Sequence, residues 1–432
     1  MKVLLVGGGG REHALAWKIS QSPLVDALVA APGNPGIARH ARCVAVAADD
    51  LDGLVSLAER EQVDLTVVGP EIALVGGLAD RLTEKGLAVF GPSARAAAIE
   101  GSKAFSKALM ARHGIPTARF ETFTDPAAAR AYCRRLGAPL VVKADGLAAG
   151  KGAIVCRTLE DADAAIAQCM ERREFGAAGT TVVVEEFMLG EELSFFAFSN
   201  GQDVVPFLAA QDHKTVFDGD LGPNTGGMGA FSPVVSLDGA LQARIMAEIA
   251  VPTIAALAKE GAPYRGVLYC GLMLTSAGPK VVEFNCRFGD PECQAILARA
   301  DADLVPLFVA VARGDRLPAA MPDPPRAAVC VTVASGGYPG RYATGMEITG
   351  IERAETVPGV QVFHAGTALR DGRLVTAGGR VLGVTAVAAD VATAIEAAYE
   401  AVGRIRFEGM HYRRDIGRRT DMGAPTWPPS AR

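Results

Sequence analysis

Pro139-Leu-Val-Val-Lys143-Ala-Asp-Gly146-Leu-Ala-Ala149-Gly150-Lys151-Gly152-Ala-Ile-Val-Cys156 reads as two short apolar strands joined by a glycine-rich loop. A lysine stands at each end of that loop. Such a loop folds its backbone N–H groups over a polyphosphate, and two ammonium groups neutralise it. It is not a Walker A loop, because Gly152 and not Ser or Thr follows Lys151. The plain alternative is a glycine hairpin with two surface lysines.

Downstream, a helix is expected over 159–172 and a strand over 181–187. That strand ends in Glu185-Glu186-Phe187-Met188, with Glu191-Glu192 just beyond. Carboxylates beside an apolar pair suit a ribose and an adenine edge, and a solvated acidic turn is the bland alternative. Further strands are expected at 193–198, 204–209, 267–274 and 280–285, with a helix near 239–259. The sharpest segment is Lys280-Val-Val-Glu283-Phe284-Asn285-Cys286-Arg287. Alternate residues of a strand share a face, so Glu283, Asn285 and Arg287 point one way and Phe284 and Cys286 the other. A carboxylate and an amide oxygen two residues apart suit Mg²⁺, which also takes phosphate oxygens and water. Arg287 beside them suits an anionic or transferring group, and a Glu283–Arg287 ion pair is the structural alternative. Phe288-Gly289-Asp290-Pro291-Glu292 then turns the chain. Gln211-Asp212-His213-Lys214 and Gly222-Pro-Asn224-Thr225-Gly226-Gly227-Met-Gly229 read as a binding loop, with His213 expected at the surface. Neither a Ser-His-Asp arrangement nor an H-E-x-x-H motif is present, so a hydrolytic triad or zinc peptidase has no support.

Upstream, residues 1 to about 102 alternate strands (3–6, 27–31, 44–47, 65–68, 87–90) with helical patterns (11–20, 51–61, 74–85). That alternation predicts a doubly wound parallel sheet. Its ligands bind beyond the strands' carboxyl ends, where Gly7–Gly10, Pro32–Gly36 and Gly69-Pro70-Glu71 lie. The dinucleotide fingerprint fails: Glu12 or His13 occupies the third glycine position, and Pro32-Gly33-Asn34 stands where the acidic residue belongs. A nicotinamide-dependent oxidoreductase would rest on those glycines alone. A substrate phosphate at the helix N-terminus is the remaining functional reading, with Gly8, Gly9 and Gly10 as candidates; a tight turn is the structural one. Helix 103–113 stops at Gly114, with Pro116 beyond. The organisation expected is a Rossmann-like N-terminal domain (1–102), a central α+β domain (103–316) with a lid near 122–190, and a Pro-rich linker (317–325). A small C-terminal α+β domain (326–418, with a helix at 389–404) and a frayed tail (419–432) follow.

The 432 residues carry a formal charge of −5, and half are hydrophobic. An acidic balance argues against nucleic acid as partner, and no uninterrupted apolar run reaches the roughly 18–20 residues of a membrane span. The apolar stretch after Met1 is too short for a signal peptide. The eight cysteines are scattered without a C-x-x-C pair. Buried reduced thiols and a cytoplasmic location are therefore expected.

The ordered set Gly-Gly-Arg11-Glu-His-Ala-Leu, Val-Gly-Pro-Glu71, Glu-Gly-Ser-Lys103, Lys143–Gly152, Gln-Asp-His-Lys214, Gly-Pro-Asn-Thr-Gly-Gly-Met-Gly229 and Glu283-Phe-Asn-Cys-Arg-Phe-Gly-Asp-Pro-Glu292 resembles the phosphoribosylamine–glycine ligase family of the ATP-grasp superfamily. The resemblance runs from residue 1 to about 418. It implies an ATP-grasp core with a mobile lid, and ligation of glycine to 5-phosphoribosylamine through glycyl phosphate, with ATP as co-substrate and Mg²⁺ or Mn²⁺ as cofactor. It implies that Glu283 and Asn285 hold the metal and that Arg287 acts on the transferring group. Lys103, Lys143, Gly146, Ala149, Gly150, Lys151, Gly152, Glu185, Glu186, Phe187 and Glu192 would hold ATP. Gly8, Gly9, Gly10, Asp212, Lys214, Asn224, Thr225, Gly226, Gly227, Gly289, Asp290 and Pro291 would serve glycine and the phosphosugar. The partners implied are small molecules, with no nucleic acid or membrane, for a monomer or weak homodimer. Thr215 departs from the pattern, where Arg is expected. Another ATP-grasp carboxylate–amine ligase is the nearest rival, and an ATP-binding regulatory protein the non-enzymatic one.

Overall fold

The computed structural model describes residues 1–147 and 152–418. Ala149, Gly150, Lys151 and the tail from 419 lie outside the described residues. The N-terminal strands form a five-stranded parallel sheet in the order Arg42–Cys43, Ala27–Pro32, Lys2–Gly7, Leu65–Val68, Val89–Phe90. Val3–Val6 are fully buried, as the centre of a sheet covered on both faces requires. The strand expected at 44–47 pairs only at Arg42–Cys43, while Val44 and Val46 still pack on the core. The strand expected at 87–90 narrows to Val89–Phe90. The helix expected at 74–85 divides into Glu71–Val75 and Leu78–Glu84, because Gly77 takes a φ of +91° that ends one helix and starts the next.

A second, antiparallel sheet runs Phe120–Phe123, Val182–Glu186, Leu140–Ala144, Ala153–Cys156. Helices Pro126–Leu136 and 159–171 cover it, and it has a core of its own built on Ala129, Leu140, Val142, Ile166 and Val184. The third sheet, also antiparallel, runs Val204–Pro206, Glu191–Asn200, Arg265–Thr275, Gly278–Asn285. The first of these is shorter than the expected 204–209. This sheet shares its apolar core with the N-terminal sheet, and the Phe90 ring lies 6.1 Å from Phe198 and 4.3 Å from Phe308.

The C-terminal sheet is six-stranded and crosses the expected domain boundary. Strands Gln211–Asp212 and Gly229–Ser232, from inside 103–316, extend the sheet of Ala327–Ser335, Arg380–Ala388 and Val360–His364, and Met410–His411 pairs with Ala327–Ser335 as the sixth. Helix Val391–Val402 packs on it. By length and composition Gly239–Lys259 is one helix apolar enough to cross a membrane. Here Ile245, Ile249, Ile254 and Leu257 sit in the shared core, and Arg244 pairs with Glu248 on the outer side. Seven of the eight cysteines are buried and all are free. Burial pushes the thiols up, Cys156 to about 12 and Cys169 to about 11.

Candidate active site

The carboxyl ends of the N-terminal strands, the second and third sheets, and one C-terminal residue enclose a cavity of about 450 Å³. On the side of the glycine loop, Ser102 caps helix Lys103–His113 by accepting from Phe105 N at 3.0 Å. Asp145, at the root of the glycine loop, accepts from Ser102 Oγ at 2.9 Å and Ala104 N at 3.0 Å. The loop root is thereby fastened to the helix N-terminus, and Lys103 Nζ donates to Gly146 O at 3.2 Å. Lys143 is buried, with its Nζ 3.0 Å from Glu185 Oε1. Glu186 also lines the cavity, paired with Arg119 at 2.6 Å and Lys280 at 3.5 Å. Gly152, Phe187, Met188 and Glu192 line the same side.

Glu283 and Asn285 line the cavity, while Cys286 is buried among apolar side chains, as the alternation requires. The pairing with Arg265–Thr275 skips Val282, and its carbonyl accepts from Lys143 Nζ at 2.9 Å. Burial raises the Glu283 carboxyl, but Lys103, Lys214 and Lys143 outweigh it and hold it below its ordinary value. Asn285 Oδ1 accepts from Arg287 at 3.0 Å. An ionised carboxylate and an amide oxygen on one face fit a hard divalent cation. Among the described residues no three His, Cys, Asp or Glu side chains gather as a metal cage. The rest of such a cation's shell would fall to phosphate and water.

Arg287 does not pair with Glu283. Its guanidinium lies 2.6 Å from Glu100 Oε1 and 3.1 Å from Glu71 Oε2. Glu100 also accepts from Cys286 N at 2.7 Å. Burial raises Glu100 more than Arg287 lowers it. Burial also works on Glu71, but Arg287 and Arg11 hold it down at about 2. The two carboxylates outweigh burial at Arg287 and keep it charged.

On the opposite side Lys214 Nζ is 2.8 Å from Glu192, and its ammonium is held up against burial by Asp212 and Glu192. Thr225 Oγ1 donates to Lys214 O at 2.7 Å and accepts from Gly227 N at 2.9 Å, which folds the 224–227 turn back on the 212–214 strand end. Asp212, Asn224, Thr225, Gly226, Gly289 and Asp290 all line the cavity. Gly227 and Pro291 stand behind it in mutual contact: a Cβ on Gly227 would meet Pro291 Cδ at 2.4 Å. Gly8, Gly9 and Gly10 stand below it. Glu12 occupies part of their cradle, accepting from Gly9 N at 2.7 Å and from Arg11 Nε at 2.6 Å. None of the three lines the cavity: a Cβ on Gly9 or Gly10 would come within 3.7 Å of an Asp290 carboxylate oxygen, whereas Gly8 packs against Gly33 O.

His213 is fully buried, not at the surface, and accepts from Gly417 N at 3.1 Å. The C-terminal sheet closes over it, which local sequence does not reveal. At Thr215, Arg413 donates to Oγ1 at 2.8 Å, so a guanidinium from elsewhere in the chain stands beside the missing one. Sequence reasoning did not assign Arg11, Glu71, Glu100, Lys107, Glu292 or Arg380, all of which line the cavity. For Lys107 the available signal was its spacing of four residues from Lys103 on one helix face. Arg380 follows Gly378-Gly379, a pair that reads as a turn, yet it donates to Asp290 O at 2.5 Å and to Gly226 O. It brings the C-terminal unit into the site.

Comparison with known proteins agrees with this architecture. Models of the phosphoribosylglycinamide synthetase N domain, ATP-grasp (A) domain and C domain match residues 1–100, 101–293 and 328–419. A phosphoribosylamine–glycine ligase of Caulobacter vibrioides is 54% identical over 96% of this chain and 98% of its own. The Agrobacterium fabrum protein of that name is 52% identical over the same shares. A trifunctional purine biosynthetic protein of Gallus gallus is 50% identical over 97% of this chain, which matches 42% of that longer protein. The crystal structure of phosphoribosylamine–glycine ligase from Thermotoga maritima superposes with a TM-score of 0.84 at 33% identity, covering 96% of this chain and 100% of that one. A biotin carboxylase domain of Hydrogenobacter thermophilus shares the fold alone: 18% identity, a TM-score of 0.73, and 95% and 91% of the two chains. With all three domain models matched in order, and half the residues identical over nearly the full length, the chain belongs to the phosphoribosylglycinamide synthetase family.

Proposed function

We propose that this chain joins glycine to 5-phosphoribosylamine at the expense of ATP, giving glycinamide ribonucleotide, ADP and phosphate. One observation carries the reading: a cavity with phosphate-type lysines on one side and a separate polar loop on the other, in a chain about half identical to relatives named for that reaction. Lys103 and Lys143 neutralise the ATP phosphates, and Glu185, Glu186, Phe187 and Glu192 line the nucleoside. Ala149, Gly150 and Lys151 complete the loop in this reading. Glu283 and Asn285 hold a divalent cation, which when bound neutralises charge on the phosphates.

A glycine carboxylate oxygen attacks the γ-phosphorus, the bond to the ADP oxygen breaks, and glycyl phosphate forms. The ribosylamine nitrogen then attacks the acyl carbon, phosphate leaves, and the nitrogen loses a proton. Arg287 is rigidly held and permanently charged, so it stabilises the transferring phosphoryl group without reorganising. Asp212, Lys214, Asn224–Gly227, Gly289–Pro291 and Gly8–Gly10 serve glycine and the phosphosugar. Glycyl phosphate is labile in water, so the second sheet, as a lid at about 122–190, closes before it forms. The four-part division at 102, 316 and 325 belongs to the same reading.

The test is ADP release with ATP and Mg²⁺, adding glycine and in-situ-generated 5-phosphoribosylamine singly and together. Turnover requiring both, with a product of glycinamide ribonucleotide mass, is the expected result. ATP binding without such turnover would move the search to other carboxylate and amine pairs.

A further inference from the structure

We propose that Lys107 is a positioning residue for the nucleotide: it draws the Glu185 carboxylate partly away from Lys143, so that this pair is not fully neutralised towards the phosphates of ATP. The inference rests on the ligase reading above and deepens its nucleotide half.

Lys107 lies one turn beyond Lys103 on helix Lys103–His113 and is 2% exposed. Its Nζ is 3.0 Å from Glu185 Oε2, donates to Thr117 Oγ1 at 2.7 Å, and stands 5.6 Å above the Phe120 ring. Thr117 Oγ1 in turn donates to Val281 O at 2.7 Å, so its lone pair is aimed at the lysine. Lys107 therefore ties the helix to both walls of the cavity: Val182–Glu186 through Glu185, and Gly278–Asn285 through Thr117.

Stability does not explain this arrangement. Glu185, itself 2% exposed, already has Lys143 at 3.0 Å. A second buried ammonium costs desolvation, and an apolar side chain at 107 would pack on Phe120 without it. The consequence of the second lysine is electrostatic: two ammonium groups share one carboxylate, which leaves the cluster positive. With Glu185 drawn to both, Lys143 is not fully neutralised and presents net charge to the cavity. The charges facing Lys107 are Glu185, Lys143 and Glu283, one from each packed strand. Burial and Lys143 push the Lys107 ammonium down to about 8 against the pull of Glu185, so it remains charged at neutral pH.

The test is titration calorimetry of MgATP on the full-length protein, with steady-state kinetics alongside. Lys107→Met should weaken MgATP binding about tenfold or more and raise the KM for ATP in parallel, while the KM for glycine stays within about twofold. In the double variant Lys107→Met/Glu185→Gln, as in Glu185→Gln alone, no carboxylate is left to neutralise Lys143, so Lys107 has nothing to act through. It should bind MgATP within about threefold of Glu185→Gln alone, showing strong coupling between the two positions. The double variant also removes both buried charges, so it provides the comparison even where Lys107→Met folds poorly. Unchanged MgATP affinity in Lys107→Met, or independent effects at 107 and 185, would overturn the proposal. Wild-type protein that binds MgATP but releases no ADP with both substrates would sink the ligase reading and leave the calorimetric comparison to decide Lys107. Wild-type protein with no affinity for MgATP would sink both.

Discussion

Arg287 shows how much one side chain in this site owes to partners far away in sequence. Glu71 and Glu100 hold it from the N-terminal unit, and neither is visible from the strand that carries it. Removing the cation leaves Glu100 buried without its counter-charge, a loss that typically costs about 3 kcal/mol or more. Arg287→Met should therefore lower the melting temperature by at least about 5 °C as well as abolish turnover; scanning calorimetry beside the ADP assay checks both. Glu283 is different, because its neighbours are lysines already paired elsewhere. Glu283→Gln keeps the shape and removes the charge a cation needs. It should cut kcat at least about 100-fold at saturating Mg²⁺ and keep a cooperative melt. Near-normal turnover would remove Glu283 from the metal site. The facing of Glu283, Asn285 and Arg287 was legible in the sequence because strand periodicity is local. The partner of Arg287 was not, and the ion pair with Glu283 that spacing allowed does not form.

At the scale of elements, the glycine loop is defined by its ends. Asp145 serves both as loop root and as acceptor for the N-terminus of helix Lys103–His113. Asp145→Ala removes both bonds at once. It should cost about 1–2 kcal/mol of stability, the ordinary scale of a lost cap, and raise the KM for ATP more than that for glycine. Equal effects on both would make the contact purely structural. The skipped residue Val282 is a second device of this kind: a local break in the ladder gives Lys143 a carbonyl to hold. The stop of helix Lys103–His113 was readable because Gly114 and Pro116 act through their own backbone. The skip at 282 and the division of 71–84 into two helices depend on pairing and on one residue's φ, and periodicity blurs both.

Across the whole molecule, the N- and C-terminal units meet at buried imidazoles. His13 Nδ1 accepts from His364 N at 2.7 Å, and Asn34 donates to both Gly8 O at 2.9 Å and His364 O at 2.8 Å. Burial, then His364, His40 and Arg39, push His13 well down, and burial and Arg39 push His364 to about 4, with Glu355 and Glu352 opposing at His364. The unfolded chain takes up these protons near pH 6.5, whereas native His364 does so only near 4 and native His13 well below its ordinary value. Stability from the neutral rings is thus complete above about pH 6.5 and is lost as pH falls toward 4, at about 1.4 kcal/mol per pH unit for each histidine. Melting temperatures from pH 7 to 4.5 should fall steadily below 6.5; a flat profile down to pH 5 would contradict this clamp. Nothing local announces that junction, nor that strands Gln211–Asp212 and Gly229–Ser232 complete the C-terminal sheet, nor that Arg380 reaches Asp290. The order of elements, the parallel N-terminal sheet and the shared facing of Glu283, Asn285 and Arg287 were determined by the sequence alone, because each follows from the spacing of neighbouring residues. The burial of His213, the carboxylate pair on Arg287, the doubly held Glu185 and the entry of Arg380 were decided only by tertiary structure. In each of them, groups tens to hundreds of residues apart are brought together by packing, and desolvation then makes the choice of partner decisive.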